Sequence, residues 1–217
     1  MLIDIHSHHI HGQPLQKQFI SLEASLADGF RETFSNYGED VLLSVGVHPW
    51  QTLNWNLDDS PALMEIFSDT RVLMIGEVGL DKNSTVDFNV QTHVFNAQIE
   101  MAEKVRKPVL LHVVHTMTEI LACKKMHQEI PAWIIHGFRG GRQEADQYAK
   151  KGFYLSFGPR FNNEGLLACP VDRLFLETDE SLGDLRAVYE NAAQVMQCPV
   201  GDLEKQVEAN FSAIFKI

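Results

Sequence analysis

Cysteine is scarce in this 217-residue chain: there are three, Cys123, Cys169 and Cys198, an odd number without CxxC spacing. That excludes a disulfide framework and a thiolate zinc site, and leaves small buried thiols as the expectation. Cations are also few, 18 Lys and Arg against 29 Asp and Glu, for a net charge of −11. Tight non-specific attraction to phosphate backbones needs clustered Lys and Arg, so a nucleic-acid substrate would have to be held through metal ions. No apolar run approaches the roughly 20 residues that span a bilayer. The first residues enter an apolar run with no basic leader ahead of them, and a cytoplasmic location is expected. No Pro/Gly/Ser-rich linker, composition break or internal repeat divides residues 1–217, which predicts a single domain with no obligate protein partner evident.

What the chain does have is a recurring placement of metal-type side chains. His6 and His8 follow LIDI, Glu77 follows VLMIG, His112 follows VLL, His136 follows WII, and Asp179 follows LFLET. Short runs rich in Val, Ile, Leu and Phe are the pattern of strands covered on both faces. They fall near residues 2–5, 18–22, 41–46, 72–76, 108–111, 132–135, 153–157 and 173–177, eight in all. Helical patterns lie between them, clearest from Asp87 to Arg106 and then over Met117–Gln128, Arg142–Lys151, Leu185–Met196 and Asp202–Phe215. Lys107-Pro108 closes the first of these, because proline biases its predecessor away from helical angles. The region 9–40 has the weakest periodicity. Strand alternating with helix predicts the α/β class, a single TIM-type (β/α)8 barrel, with ligands gathered where the strands end.

Alternation along a strand puts Asp4, His6 and His8 on one face, where both imidazoles would meet one cation and Asp4 would brace a ring. Glu77, between Gly76 and Gly79, has two oxygens able to bridge a pair of cations. Asp179 is suited to coordinate a metal and to take a proton from water, with Glu177 two residues earlier as a supporting or structural partner. His48, in GVHPW, is a candidate to line the pocket, and His9, His11 and His115 are open between loop and site. His93 and His127 sit in helical patterns and read as packing or surface residues. Arg139 and Arg160, each just past a strand, read either as phosphate-binding forks or as surface arginines. Imidazole and carboxylate ligands suit Zn, Mn, Ni or Fe, with Mg possible.

In order along the chain, DIHSH, VGVHP, IGEVGLD, PVLLH, HGFRGG and LETD, with NFSAIF at the end, resemble the TatD-type deoxyribonuclease family of metal-dependent hydrolases. The resemblance implies a metal-dependent hydrolase barrel with two divalent ions. His6, His8 and Asp179 would hold one, His112 and His136 the other, and Glu77 would bridge them. It further implies phosphodiester cleavage of DNA, or of a small phosphodiester, by a metal-bound hydroxide, with Asp179 and Glu77 as the catalytic carboxylates.

The chain departs from the family where substrate would be held. Lys82 and Asn83 follow LD in place of aromatics, and Val114 and His115 replace an Arg-Asp pair. Glu180 and Ser181 replace a small residue and a proline. The chain is also shorter than the family norm. Two other classes compete: an amidohydrolase acting on amides or lactones, which commonly bridges its metals with a modified lysine, and a non-catalytic metal-binding barrel.

Overall fold

A computed structural model describes residues 1–10, 16–24, 41–55, 58 and 60–216. The strands are β1 (Leu2–Ser7), β2 (Gln16–Glu23), β3 (Leu42–Gly46), β4 (Val72–Asp81), β5 (Val109–Val114), β6 (Trp133–Ile135), β7 (Tyr154–Phe157) and β8 (Leu174–Leu176). The helices are α1 (Ser60–Ser68), α2 (Phe88–Val105), α3 (Met117–Met126), α4 (Arg142–Lys150), α5 (Asn163–Ala168), α6 (Leu185–Met196) and α7 (Val200–Ile214). Short 3-10 turns occupy Pro49–Asn54 and Val171–Arg173. His11 and most of the weakly periodic region lie outside the described residues.

The chain forms two compact units. The first comprises Met1–Ile20 and Ala132–Ile217. Here β1 pairs with β2, β6 with β7 and β7 with β8, all parallel, and a parallel bridge joins Ser7 at the end of β1 to Asp179 just beyond β8. Ile3, Ile5, Leu155, Phe157 and Phe175 are fully buried. Phe19, Phe211 and Phe215 pack ring to ring, with Phe19 and Phe215 centroids 4.9 Å apart. Tyr189 of α6 uses its buried hydroxyl to accept from Ile3 N at 3.1 Å and donate to Ile3 O at 2.9 Å, fixing β1 from behind. A buried phenol needs such partners to offset its desolvation.

The second unit, Ser21–Pro131, holds β3, β4 and β5 in parallel pairing, backed by α1, α2 and α3. Asp87 caps α2 by accepting from Asn89 N and Val90 N. At its other end Arg106 adopts a left-handed conformation and Lys107-Pro108 follows, the stop expected from proline. Gly76 and Gly79 let the strands close up. A Cβ on Gly76 would lie 2.5 Å from Leu110 Cβ, and one on Gly79, at φ +154°, would overlap the His112 carbonyl. This close approach carries strand pairing beyond residue 76, where the sequence pattern ended it, so that Gly79, Leu80 and Asp81 pair with His112, Val113 and Val114. Glu77 and His112 therefore lie within strands rather than past their ends.

Two register shifts fall at candidate ligands, between Asp4 and Ser7 in β1 and between Ile75 and Val78 in β4. An extra residue in one strand redirects a side chain and breaks the strict two-residue alternation. His6 and Glu77 are at these points.

Candidate metal centre

In the first unit, His6 at the end of β1, His136 just after β6 and Asp179 just after β8 converge. Each offers one donor atom, and these lie within 4.8 Å of one another. His6 Nε2 is 3.3 Å from Asp179 Oδ1, and His8 Nε2 is 3.7 Å from the same oxygen. The rings of His6 and His136 are 4.6 Å apart between centroids. Local backbone geometry makes this possible. Asp179 sits in the left-handed region at φ 56°, which Asp tolerates better than most residues, and its main chain is pinned to β1 on either side of Ser7. Its N–H donates to His6 O at 2.9 Å and its carbonyl accepts from His8 N at 3.1 Å.

The carboxylates behind this cluster have separate tasks. Asp4, fully buried, accepts from Thr178 N at 3.0 Å and Thr178 Oγ1 at 2.7 Å, so both its oxygens brace the turn that carries Asp179. Burial pushes its carboxyl up to about 7, against the lowering effect of the two Thr178 bonds. Glu177, also fully buried, accepts from Gly137 N at 2.6 Å and lies 3.7 Å from His136 Nδ1, supporting the segment that presents His136. Arg139 and Arg160 are exposed and line a cavity of about 420 Å³ together with Glu177 and Asp179.

In the second unit, His48, Glu77 and His112 form another group whose donor atoms lie within 4.8 Å of one another. Glu77 Oε1 is 2.9 Å from His112 Nδ1 and 3.1 Å from His48 Nε2. The far nitrogen of His112, Nε2, is 3.2 Å from Asp81 Oδ2. A neutral imidazole carries one ring hydrogen. With Nε2–H given to Asp81, the Nδ1 lone pair turns to Glu77, an arrangement that a cation between them would satisfy. The carboxylate–histidine–metal relay is built this way. His48 differs: its Nδ1 accepts from Trp50 N at 3.2 Å as the cap of the 3-10 turn, so Nε2 carries the hydrogen and donates to Glu77. Its place is to hold the Glu77 carboxylate.

Asp81 was not singled out by its residue pattern, yet it accepts from Trp50 Nε1 at 2.8 Å and Asn83 N at 2.7 Å besides facing His112. Those bonds outweigh burial and hold its carboxyl below the usual range. Two buried glutamines on one face of α2 set the strand ends. Gln91 accepts from Asp81 N at 2.9 Å and donates to Asp81 O at 3.1 Å; Gln98 accepts from Val47 N at 2.7 Å and donates to Val47 O at 3.1 Å. Glu23 accepts from His48 N at 3.0 Å. Lys82 is turned away, donating to Glu119 at 2.6 Å, and His127 faces Glu103 at 2.8 Å from α3's end. Both donor sets, imidazole with carboxylate and no thiolate, fit a divalent transition metal.

The sequence profile of the TatD related DNases matches residues 13–216. The chain belongs to this family. Among its relatives, the 3'-5' ssDNA/RNA exonuclease TatD of Cronobacter sakazakii is 31% identical over 156 residues, 67% of this chain and 59% of that protein. The uncharacterized metal-dependent hydrolase YabD of Bacillus subtilis is 30% identical over 148 residues, 64% of this chain and 58% of that protein. The chain thus spans less than two-thirds of the length of the curated relatives it matches. Among solved structures, YJJV, a TatD homologue from Escherichia coli K12, aligns with a TM-score of 0.82 at 19% identity, over 100% of this chain and 98% of that one. A TatD family hydrolase from Entamoeba histolytica gives 0.76 at 17% identity, over 99% and 97%. At such identities the likeness shows the fold alone, and the fold is the α/β, TIM-type (β/α)8 barrel.

Proposed function

We propose that this chain is a divalent-metal-dependent phosphodiesterase that cuts DNA, with single strands as the favoured form. Support comes from one observation above all: in a member of the TatD related DNase family, two imidazole–carboxylate groups are assembled, His6–His136–Asp179 from the ends of strands and His48–Glu77–His112 from within β4 and β5 and just past β3. Each group is suited to one cation, with His8 adding to the first. A shared role for Glu77 in both cations, which the family resemblance implies, is part of this proposal. Bound divalent ions supply Lewis acidity to a phosphoryl oxygen and acidify water.

The chain's own groups do the rest. Asp179, partly open to the cavity and anchored by main-chain bonds, accepts the proton of the attacking water. Asp81 keeps His112 in one tautomer and orientation, and His48 holds Glu77. Arg139, lining the cavity beside Asp179, is placed to steady a substrate phosphate. An amide-cleaving alternative is less favoured, because a carboxylate, Glu77, stands where such barrels commonly carry a modified lysine, and no Lys closes the apolar run before His112.

Among the described residues no helix is long and apolar enough to cross a membrane. A cytoplasmic location is part of the same proposal, supported by three free thiols, and so is a single domain over residues 1–217.

The test is turnover of bis(p-nitrophenyl) phosphate and of end-labelled single-stranded DNA after chelation and after return of Mn, Zn, Ni or Mg. Turnover absent under chelation and restored by metal is expected. Complete inertness with two equivalents of metal bound would overturn the proposal in favour of a non-catalytic metal-binding barrel.

A further inference from the structure

The 3-10 turn Pro49–Asn54 sits immediately after His48 and presents two large apolar side chains to solvent, Trp50 at 54% exposure and Leu53 at 69%. Three residues per turn place positions i and i+3 on the same side of such a turn. Among the described residues, Trp50 is the only aromatic among the exposed large apolar side chains.

Trp50 is not loose. Its indole N–H donates to Asp81 Oδ2 at 2.8 Å, and its main-chain N–H donates to His48 Nδ1 at 3.2 Å. The ring meets His48 edge-on at 4.9 Å and His112 at 5.7 Å between centroids. A tryptophan fixed by two hydrogen bonds and two ring contacts, yet half open to water, forgoes burial that would stabilise the fold. What it gains is a rigid π-surface beside the groups suited to hold a cation.

We propose that Trp50, extended by Leu53, is a stacking platform for a nucleobase of the substrate strand, adjoining the phosphate to be cut. This rests on the phosphodiesterase reading above and adds a base-contacting residue to it. Every base has a π-face, so stacking is tolerant of sequence and is available only where the base is out of a duplex. It also makes physical sense in a chain of net charge −11, where backbone attraction is weak. The aromatic surface supplies affinity that lysines and arginines supply elsewhere.

The probes are a fluorescein-labelled, phosphorothioate-linked single-stranded thymidine tetramer and its abasic counterpart of equal charge, followed by anisotropy with the metal-loaded full chain. Stacking is worth about 1–3 kcal/mol per base, so W50A weakens the thymidine probe by roughly 5- to 150-fold and leaves the abasic probe nearly unchanged. W50F, which keeps a ring but loses the indole N–H, retains most of the affinity. Thermal melts of both variants establish that they fold. Equal binding of thymidine and abasic probes by the unaltered protein, or W50F as weak as W50A, overturns the platform. Those outcomes are separate from failure of the phosphodiesterase reading, which would appear as metal-loaded protein inert toward bis(p-nitrophenyl) phosphate, a substrate with no base to stack.

Discussion

Asp81 Oδ2 faces Nε2 of His112 at 3.2 Å while the other ring nitrogen of His112 faces Glu77 at 2.9 Å. One carboxylate fixes the tautomer, and the opposite nitrogen is thereby left as a donor toward the cation site. Removing such an outer carboxylate typically costs 10- to 100-fold in metal affinity. D81N is therefore expected to weaken the second unit's cation by about that factor while the protein still folds, read by competition with a chromophoric chelator. Unchanged affinity would show that Asp81 does not hold the ring.

His48 and His112 both contact Glu77, but their chemistry differs. Nδ1 of His48 already accepts from Trp50 N, and its Nε2–H points at Glu77. H48A is expected to keep the metal stoichiometry and lower turnover, with a loss of about 0.5–2 kcal/mol from the missing cap. H112A is expected to lose a metal equivalent outright. Elemental analysis of the two variants side by side decides this, and loss of an equivalent in H48A would make His48 a ligand instead.

The strands near residues 72–76 and 108–111, and the helix ending before Pro108, could be read from apolar runs and proline alone. So could the side chains placed at strand ends, His6, His136 and Asp179, because a polar residue closing a buried run is conspicuous. The continuation of β4 to Asp81 could not. Gly76 and Gly79 read as places of close backbone approach, but the sequence does not say which strand approaches, and it is β5 that carries the pairing on to Asp81. The register shifts at His6 and Glu77 are equally silent, since a bulge depends on the neighbouring strand. Gln91 and Gln98 were hidden for another reason: their seven-residue spacing on α2 looks like a polar interruption of an apolar stripe until their partners in Asp81 and Val47 are known.

That hidden clamp has a measurable cost. Gln98 is fully buried and satisfies both main-chain groups of Val47, itself buried and next to His48. Q98L would leave a buried N–H and C=O without partners, each costing about 1–3 kcal/mol. A drop in Tm on the order of 10 °C follows for a chain of this size. Ionised glutamate at this position would set an acceptor against Val47 O and bury a charge, so Q98E is expected to be at least as destabilising as Q98L at neutral pH and to gain stability as pH falls and its carboxyl takes up the donor proton, read by calorimetry.

The three thiols should separate by reactivity. Burial pushes Cys123 and Cys169 up to about 12, whereas Cys198 is half-buried. Thiolate is the reacting form, so at pH 8 roughly one in ten thousand of each buried thiol is reactive. Because the raised values favour the proton, labelling of these two rises with pH and stays negligible below neutrality. Iodoacetamide at pH 8 is expected to modify Cys198 first, as located by peptide mass spectrometry. Early modification of Cys123 would contradict its burial on the inner face of α3.

Asp179 offers the sharpest separation of binding from chemistry. Its backbone needs the left-handed region at φ 56°, which Asn also tolerates, so D179N leaves the bonds to His6 O and His8 N in place. The amide oxygen remains a ligand, but an amide does not take a proton at neutral pH. D179N is therefore expected to retain its metal and lose turnover by about 100-fold or more, the contribution of a general base. H6A, which removes a fully buried imidazole donor, is expected to lose metal content itself. Elemental analysis paired with kcat separates the two, and full activity in D179N would remove Asp179 from the proton path while leaving the cation site of the first unit intact.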